Sequence, residues 1–170
     1  MNRRYHRGGT SSGTNPPRGL NHPWSQIDFH TPEQSLGPLD PRLEDFETCM
    51  TIGEKFGYRP DDTNYKSAKT IVEYLVDCTA KGGNLLLNIC PDGDGNVPEG
   101  QRAVLEEVGA WMDVNSESIY NTRKSPMELY NPVSGVYATV NHQEGKLFVH
   151  LIDYSGSAIL LPLINKEITG

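Results

Sequence analysis

An asparagine at the end of an apolar run is the first residue whose type and place suggest chemistry. Asn84 and Asn88 bracket the leucine run of residues 85–87. Such a run predicts a strand that is covered on both faces, as in a parallel sheet. The carboxyl ends of parallel strands are where α/β folds meet their ligands. Asn88 is therefore either a ligand-contacting amide or a residue that satisfies backbone groups of the next turn, and the sequence leaves both open.

Two glutamates occupy places where a carboxyl group could act as an acid or a base. Glu33 follows a proline, on a loop from which it could protonate a leaving group, and its alternative is a solvated surface carboxylate. Glu47 is flanked by apolar residues in a candidate strand over 46–52. A buried carboxylate there needs a partner such as Arg4, so its alternative is a structural ion pair.

Neither the acidic turn nor the cysteines predict a metal site. The turn Asp92–Asn96 begins like a calcium-binding loop, but Val97 stands where that loop requires glycine and Ala103 where it requires glutamate. The three cysteines are widely spaced and lack histidine partners at ligand spacing. We therefore predict no metal and no cofactor.

The elements that position these residues follow from the apolar pattern of residues 45–113. A strand over 46–52 is followed by a helix capped by Ser67, which ends at Gly82. The leucine strand follows, and a second helix begins at Pro98. These are two successive β/α units of a parallel sheet, so the fold class is α/β.

Residues outside these two units predict a longer protein. Two parallel strands need neighbours on both edges, yet upstream there are loops and one extended segment that ends at Glu33. Downstream, residues 136–140, 147–152 and 158–161 predict antiparallel strands joined by short turns. We expect the end of a larger α/β domain followed by the start of a β domain.

The composition excludes several functional classes. The net charge of -7 argues against a general nucleic-acid binder. No apolar run approaches the roughly 20 residues of a membrane span, and the first residues lack the apolar stretch of a secretory signal. We predict no nucleic-acid or membrane partner, and the compartment and the oligomeric state stay open.

Several motifs, in their order and spacing, resemble the α-L-fucosidases of glycoside hydrolase family 29 over roughly residues 1–123. They are Asn2-Arg-Arg-Tyr, Asp28-Phe-His-Thr-Pro-Glu33, Phe46-Glu-Thr-Cys-Met-Thr-Ile52, Phe56-Gly-Tyr58 and Lys81-Gly-Gly-Asn-Leu-Leu-Leu-Asn88. The resemblance implies a partial (β/α)8 TIM-type barrel, made of its last β/α units, over residues 1–123. Residues 124–170 would begin an antiparallel β-sandwich.

The resemblance also implies an activity, the retaining hydrolysis of terminal α-L-fucose from glycans. The substrate would be a fucosylated oligosaccharide or glycoconjugate. The family uses an aspartate nucleophile and a carboxylic acid/base, which such chemistry places about 5 Å apart. The nucleophile lies upstream of the Asn2 motif in the family, so we expect this chain to supply the acid/base alone. The alternative is a non-catalytic remnant with at most weak carbohydrate binding.

Four residues receive roles from the resemblance. Glu33 matches the acid/base of several members, and Glu47 is its rival because subgroups of the family place that role on different loops. Arg4 matches an arginine that reaches the region of the sugar ring oxygen. Phe56 matches an aromatic residue that packs on the fucose methyl group, the apolar patch of a 6-deoxy sugar.

Overall fold

The computed structural model describes residues 31–36, 46–124, 131 and 135–159. Its elements, in chain order, are β1 (Glu47–Thr51), α1 (Ala68–Ala80), β2 (Asn84–Asn88), α2 (Glu99–Asn115), a 3₁₀ helix (Ser116–Ser118), β3 (Arg123–Lys124), β4 (Val136–Asn141) and β5 (Lys146–Leu151). The predicted strand, helix, strand, helix order of residues 45–113 is confirmed. The predicted domain boundary after residue 123 falls within β3 and stays a prediction.

The parallel strands β1 and β2 pair along their whole length, with Cys49 opposite Leu86. A third segment joins the free edge of β1, where Glu33 forms a parallel bridge with Cys49. Two backbone hydrogen bonds of 2.9 Å hold it, from Gln34 N to Cys49 O and from Cys49 N to Pro32 O. The predicted extended segment ending at Glu33 is thus confirmed at its described end, whereas residues 24–30 lie outside the described residues.

The two faces of the parallel sheet differ in burial. Four alternating residues of one face are fully buried: Phe46, Thr48, Met50 and Ile52. On the other face Leu86 is 50% exposed, so the prediction that β2 is covered on both faces is wrong for the described chain. The reason is that α1 packs against one side of β2, and over the described ranges the Leu86 side stays open. The apolar run of β2 nevertheless has the composition that is typical of strands buried on both faces.

Helix α1 lies between the parallel strands and the antiparallel sheet, because it packs against β2 and α2 and also against β3 and β4. Ser67 caps it by accepting a 3.2 Å hydrogen bond from Thr70 N. Gly82 follows its end with a φ of 90°, which glycine adopts without strain. A helix with neighbours on two sides must bury more than one stripe, and Asp77 is accordingly buried in a 2.5 Å ion pair with Lys81.

The antiparallel sheet has the order β3, β4, β5. The predicted strands over 136–140 and 147–152 are confirmed to within one residue as β4 and β5. Residues 158 and 159 of the third predicted strand are not in a strand, and residues 160 and 161 lie outside the described residues. The third strand of the sheet is β3 instead, which is too short to show an apolar pattern. Among the described helices, none is long and apolar enough to cross a membrane.

A methyl group at Gly83 should disrupt the packing between β2 and β1. An added Cβ would lie 2.3 Å from ring atoms of Phe46, which is 2% exposed and cannot move aside freely. We expect Gly83→Ala to lower the free energy of unfolding by about 1–3 kcal/mol. Gly109→Ala in α2 is the matched control, since nothing lies within 4 Å of its added Cβ, and it should stabilise by about 0.5–1 kcal/mol. Urea denaturation tests both, and equal effects would contradict this packing.

Acid should weaken the antiparallel sheet through His150. Burial lowers the pKa of His150, although the Ser118 backbone opposes this shift, and its Nε2 lies 3.2 Å from Thr139 Oγ1. The unfolded chain binds a proton near pH 6.5, whereas the folded chain binds it only at lower pH. The free energy of unfolding should therefore fall as the pH drops below about 6.5 and level off below the folded pKa.

Urea denaturation midpoints at several pH values between 8 and 5 measure this effect, because the interval spans the usual titration of histidine near pH 6.5. The variant His150→Gln should show a smaller acid-induced loss of stability than the unsubstituted chain. The exposed His142 provides the control, because His142→Gln keeps the buried imidazole. A loss of unchanged size in His150→Gln would contradict the assignment.

Candidate functional site

The candidate site lies at the carboxyl ends of β1 and β2, where Thr51 pairs with Asn88. Ile52 N donates a 3.0 Å hydrogen bond to Asn88 O, which keeps the two chains adjacent beyond the strands. The Asn88 side chain is half-buried, and its Oδ1 lies 3.6 Å from Cys90 Sγ. Both roles predicted for Asn88 therefore stay predictions.

The structure brings the two predicted catalytic glutamates to one face of the sheet, around Cys49. Bridge partners of neighbouring strands point to the same face, as do residues two apart in one strand, so Glu33, Glu47 and Cys49 share the face that is open at Leu86. Burial raises the pKa of the Cys49 thiol, and the negative charges of Glu33 and then Glu47 raise that pKa further. The thiol thus senses both carboxylates.

The two glutamates differ in their height on the sheet. Glu47 begins β1, four residues before Thr51, so it lies roughly 13 Å below the carboxyl edge at about 3.3 Å per residue. Glu33 is level with Cys49, which is only two residues, or roughly 7 Å, from that edge. Glu33 is exposed and Glu47 is half-buried. Of the two, Glu33 is the nearer to the edge and the more accessible from solvent.

An aromatic pair stands on the loop that follows β1. Phe56 is 43% exposed and Tyr58 is 45% exposed. The Cys90 side chain contacts the backbone of this loop, because its Sγ lies 3.3 Å from Lys55 O and 3.5 Å from Phe56 O. The fourth predicted site residue, Arg4, lies outside the described residues.

Polar side chains shape this loop, and the sequence patterns did not single them out. Asp62 accepts hydrogen bonds from Glu54 N at 3.1 Å and from Asn64 N at 3.2 Å. Lys66 Nζ donates to Thr51 O at 2.6 Å. Burial lowers the pKa of Lys66, and the Asp62 carboxylate opposes that shift. In the sequence Lys66 is only a lysine just before the Ser67 cap, and neither the helical period nor any motif predicts a partner for it.

A buried glutamine that the sequence analysis did not single out supports the turn that follows β2. Gln101 of α2 is 2% exposed, and its Oε1 accepts a 2.9 Å hydrogen bond from Cys90 N. The acidic turn after β2 is closed internally, since Asp92 Oδ1 accepts from Asp94 N at 2.9 Å and from Asn96 N at 2.8 Å. These bonds hold the backbone that rims the site.

The described residues carry carboxyl, amide and aromatic groups at the site. Within the described ranges, no three His, Cys, Asp or Glu side chains come close enough together to hold a metal ion. A cavity of about 580 Å³ lies elsewhere, between α1 and the antiparallel sheet, and none of the predicted site residues lines it. The exposed acid and the exposed aromatic side chains are groups suited to proton transfer on a polyhydroxylated ligand with an apolar patch.

Comparison with known proteins adds a family match. A sequence model described as alpha-L-fucosidase matches residues 16–117. An α-L-fucosidase of Dictyostelium discoideum is 31% identical over 135 residues, which are 78% of this chain and 29% of that protein. The chain therefore spans about three tenths of the length of this curated relative.

Two solved structures are also similar. The α-L-fucosidase isoenzyme 1 from Paenibacillus thiaminolyticus is 37% identical with a TM-score of 0.66, over 76% of this chain and 31% of that one. The α-fucosidase of Thermotoga maritima, in complex with fucose, is 34% identical with a TM-score of 0.52, over 63% of this chain and 23% of that one. In each case the similarity covers most of this chain but less than a third of the other.

Removal of either glutamate charge should make the Cys49 thiol more acidic. The thiolate is the reactive form, so the pH profile of Cys49 alkylation reports its pKa. We expect Glu33→Gln and Glu47→Gln each to move the midpoint of that profile to lower pH, because a neutral amide no longer opposes the thiolate. Peptide mass spectrometry after iodoacetamide treatment measures the modification at Cys49.

Glu54→Gln is the control, since Glu54 is exposed and does not contribute to the pKa of Cys49. The profile of this variant should overlay that of the unsubstituted chain. Midpoints unchanged in both test variants would show that the two carboxylates do not face the thiol.

Proposed function

The chain belongs to the α-L-fucosidase family, whose sequence model matches residues 16–117, or 102 of the 170 residues, and from this premise we propose that it carries the acid/base part of a retaining α-L-fucosidase site. The substrate would be a terminal α-L-fucose of a glycan. The observation that carries the proposal is the pairing of Glu33 with Cys49, which puts an exposed carboxyl group two residues, or roughly 7 Å, from the carboxyl edge of the sheet.

The fold supports this proposal with two β/α units. We assign β1, α1, β2 and α2 to the last part of a (β/α)8 barrel, within residues 1–123, and the antiparallel strands to the start of a β-sandwich over 124–170. Helix α1 packs against one side of β2, and the Leu86 side would face the barrel interior. Ligands of such barrels bind at the carboxyl ends of the strands, where Phe56 and Tyr58 lie.

Glu33 would act twice in the reaction. An attacking carboxylate, which this chain is not proposed to supply, forms a bond to the anomeric carbon while the bond to the leaving oxygen breaks. Glu33 gives its proton to that oxygen, and the departing alcohol is neutral. Its carboxylate then takes a proton from water, which attacks the anomeric carbon while the bond to the attacking carboxylate breaks, so that fucose leaves with the original configuration.

Phe56 and Arg4 would bind the sugar. The 43% exposed ring of Phe56 offers an apolar face to the fucose methyl group. Arg4, which lies outside the described residues, would reach the ring oxygen region. The related Thermotoga maritima structure contains fucose, and we assign the same ligand to this site.

Glu47 remains the rival acid/base. Its place at the start of β1 is deep below the carboxyl edge, and its half-buried carboxyl group suits a structural role. The non-catalytic alternative is weak carbohydrate binding alone. One experiment distinguishes these three possibilities.

The experiment supplies the attacking group from solution. Sodium azide can replace an enzymatic nucleophile, because a small anion attacks the anomeric carbon while the acid protonates the leaving oxygen. We expect the 170-residue chain to accelerate release of the phenol from an aryl α-L-fucoside in the presence of azide. Glu33→Gln should lower that rate by about 10²–10⁴-fold, the usual contribution of a general acid. Chromophore release measures it, with Glu54→Gln as the matched control.

Each outcome assigns a role. Loss of rate in Glu47→Gln with full rate in Glu33→Gln would move the acid/base role to Glu47. Binding of L-fucose in ligand-observed NMR without azide-dependent release would establish the non-catalytic alternative. Neither binding nor release by a folded chain would refute the proposed site.

A further inference from the structure

A continuous set of hydrogen bonds connects the segment that carries Glu33 to the loop that carries Phe56. Gln34, next to Glu33, donates from Nε2 to Thr51 Oγ1 at 2.8 Å. The Thr51 hydroxyl in turn donates to Gly53 O at 2.6 Å. Gly53 is the first residue of the loop, three positions before Phe56. The buried hydroxyl of Thr51 is therefore the point where the two segments meet.

Lys66 closes this set from the other end of the same loop. Its Nζ lies 2.6 Å from Thr51 O, 3.3 Å from Gly53 O and 3.4 Å from Thr51 Oγ1. An ammonium group has three donors, and this one directs all three to the root of the loop. Its backbone is fixed too, since Lys66 N donates to Ile52 O at 2.8 Å.

The donor and acceptor balance is complete at Thr51. A hydroxyl has one proton to donate and two lone pairs to accept with. Here it donates to Gly53 O and accepts from Gln34 Nε2 and Lys66 Nζ. A lysine on a loop would be expected to solvate its ammonium group, so the hydrogen bonds of this half-buried group to backbone carbonyls indicate a positional role.

We propose that Lys66, through Thr51, is a positioning residue that sets the spacing between the Glu33 segment and the Phe56 loop. The functional meaning of that spacing rests on the proposed function, because Glu33 would meet the leaving oxygen and Phe56 the methyl group of one bound sugar. Neither Lys66 nor Thr51 is proposed to touch the ligand. A shift of the loop root by about 1 Å would misplace the aromatic face against the acid, which costs up to about 100-fold in rate.

The test reads the position of Phe56 directly by ¹⁹F NMR. The chain has four phenylalanines, so incorporation of 4-fluorophenylalanine gives four signals, and Phe56→Leu identifies that of Phe56. Lys66→Met keeps the aliphatic stem and removes the three donors. We expect it to shift or broaden the Phe56 signal while those of Phe46 and Phe148 stay in place. Lys69→Met, which removes the same charge from an exposed site on α1, should leave all of these signals unchanged.

Thr51 supplies an isosteric pair that checks the same connection. Thr51→Val removes the hydroxyl at nearly constant volume and should reproduce the effect of Lys66→Met, whereas Thr51→Ser keeps the hydroxyl and should restore the original Phe56 signal. An unchanged Phe56 signal in both Lys66→Met and Thr51→Val would overturn the proposal. Collapse of all four signals in both variants would also overturn it, since these residues would then serve the fold as a whole.

A binding measurement separates this inference from the proposed function. The dissociation constant for L-fucose, from ligand-observed NMR, should rise about tenfold or more in Lys66→Met and stay unchanged in Lys69→Met. If the unsubstituted chain does not bind L-fucose, the proposed sugar site fails, and the ¹⁹F result still decides whether Lys66 positions the loop.

Discussion

Parallel pairing at Cys49 is the constraint on which the rest of the site depends. One residue of β1 is opposite Glu33 on one side and opposite Leu86 on the other. Because the pairing is parallel, all three segments run toward the same edge, and the loops that follow them emerge together. A shift of one residue would turn Glu33 to the buried face, where an unpaired carboxylate is costly. The register thus decides whether the acid is available for chemistry.

The open face of this sheet is accessible over the described residues and carries polar side chains. Its residues are a mixture of carboxyl, thiol, hydroxyl, amide and leucine side chains, whereas the opposite face is buried along β1 and half-buried at Leu85 and Leu87 of β2. A face of mixed polarity is unsuited to a dry core, because each buried polar group needs a partner. It is suited to the wall of a ligand-binding interior. The opposite face, by contrast, packs against α1 through β2.

Local patterns in the sequence predicted most of the elements but few of the contacts at the site. The apolar pattern of residues 46–52 predicted β1, although not which of its faces is buried, and the helical apolar pattern with the Ser67 cap predicted α1. The predicted burial of β2 on both faces was wrong. An apolar run shows that a strand can be buried, but it does not show that described residues cover both of its faces. The motif resemblance pointed to Glu33 and Glu47, yet it gave no sign that both would lie near one thiol.

The contacts that no pattern revealed are those between residues distant in the chain. Lys66 and Gln101 are polar residues whose partners are backbone atoms 15 and 11 positions away. Backbone carbonyls carry no sequence signature, so a side chain that binds them looks like an ordinary surface residue. The course of the chain after β1 brings Lys66 back to Thr51, and the start of α2 brings Gln101 back to Cys90. Such residues become visible once the donors and acceptors of the folded chain are counted.

Helix α1 gives the antiparallel sheet an indirect influence on the carboxyl edge of the parallel sheet. Strand β2 packs against this helix, and so do β3 and β4, so opening of either sheet removes packing from the same element. Their local stabilities are thermodynamically coupled, as expected of one cooperative unit. A surface change far from Glu33, on β4 for example, can therefore alter how often the carboxyl edge opens without altering its ground-state geometry.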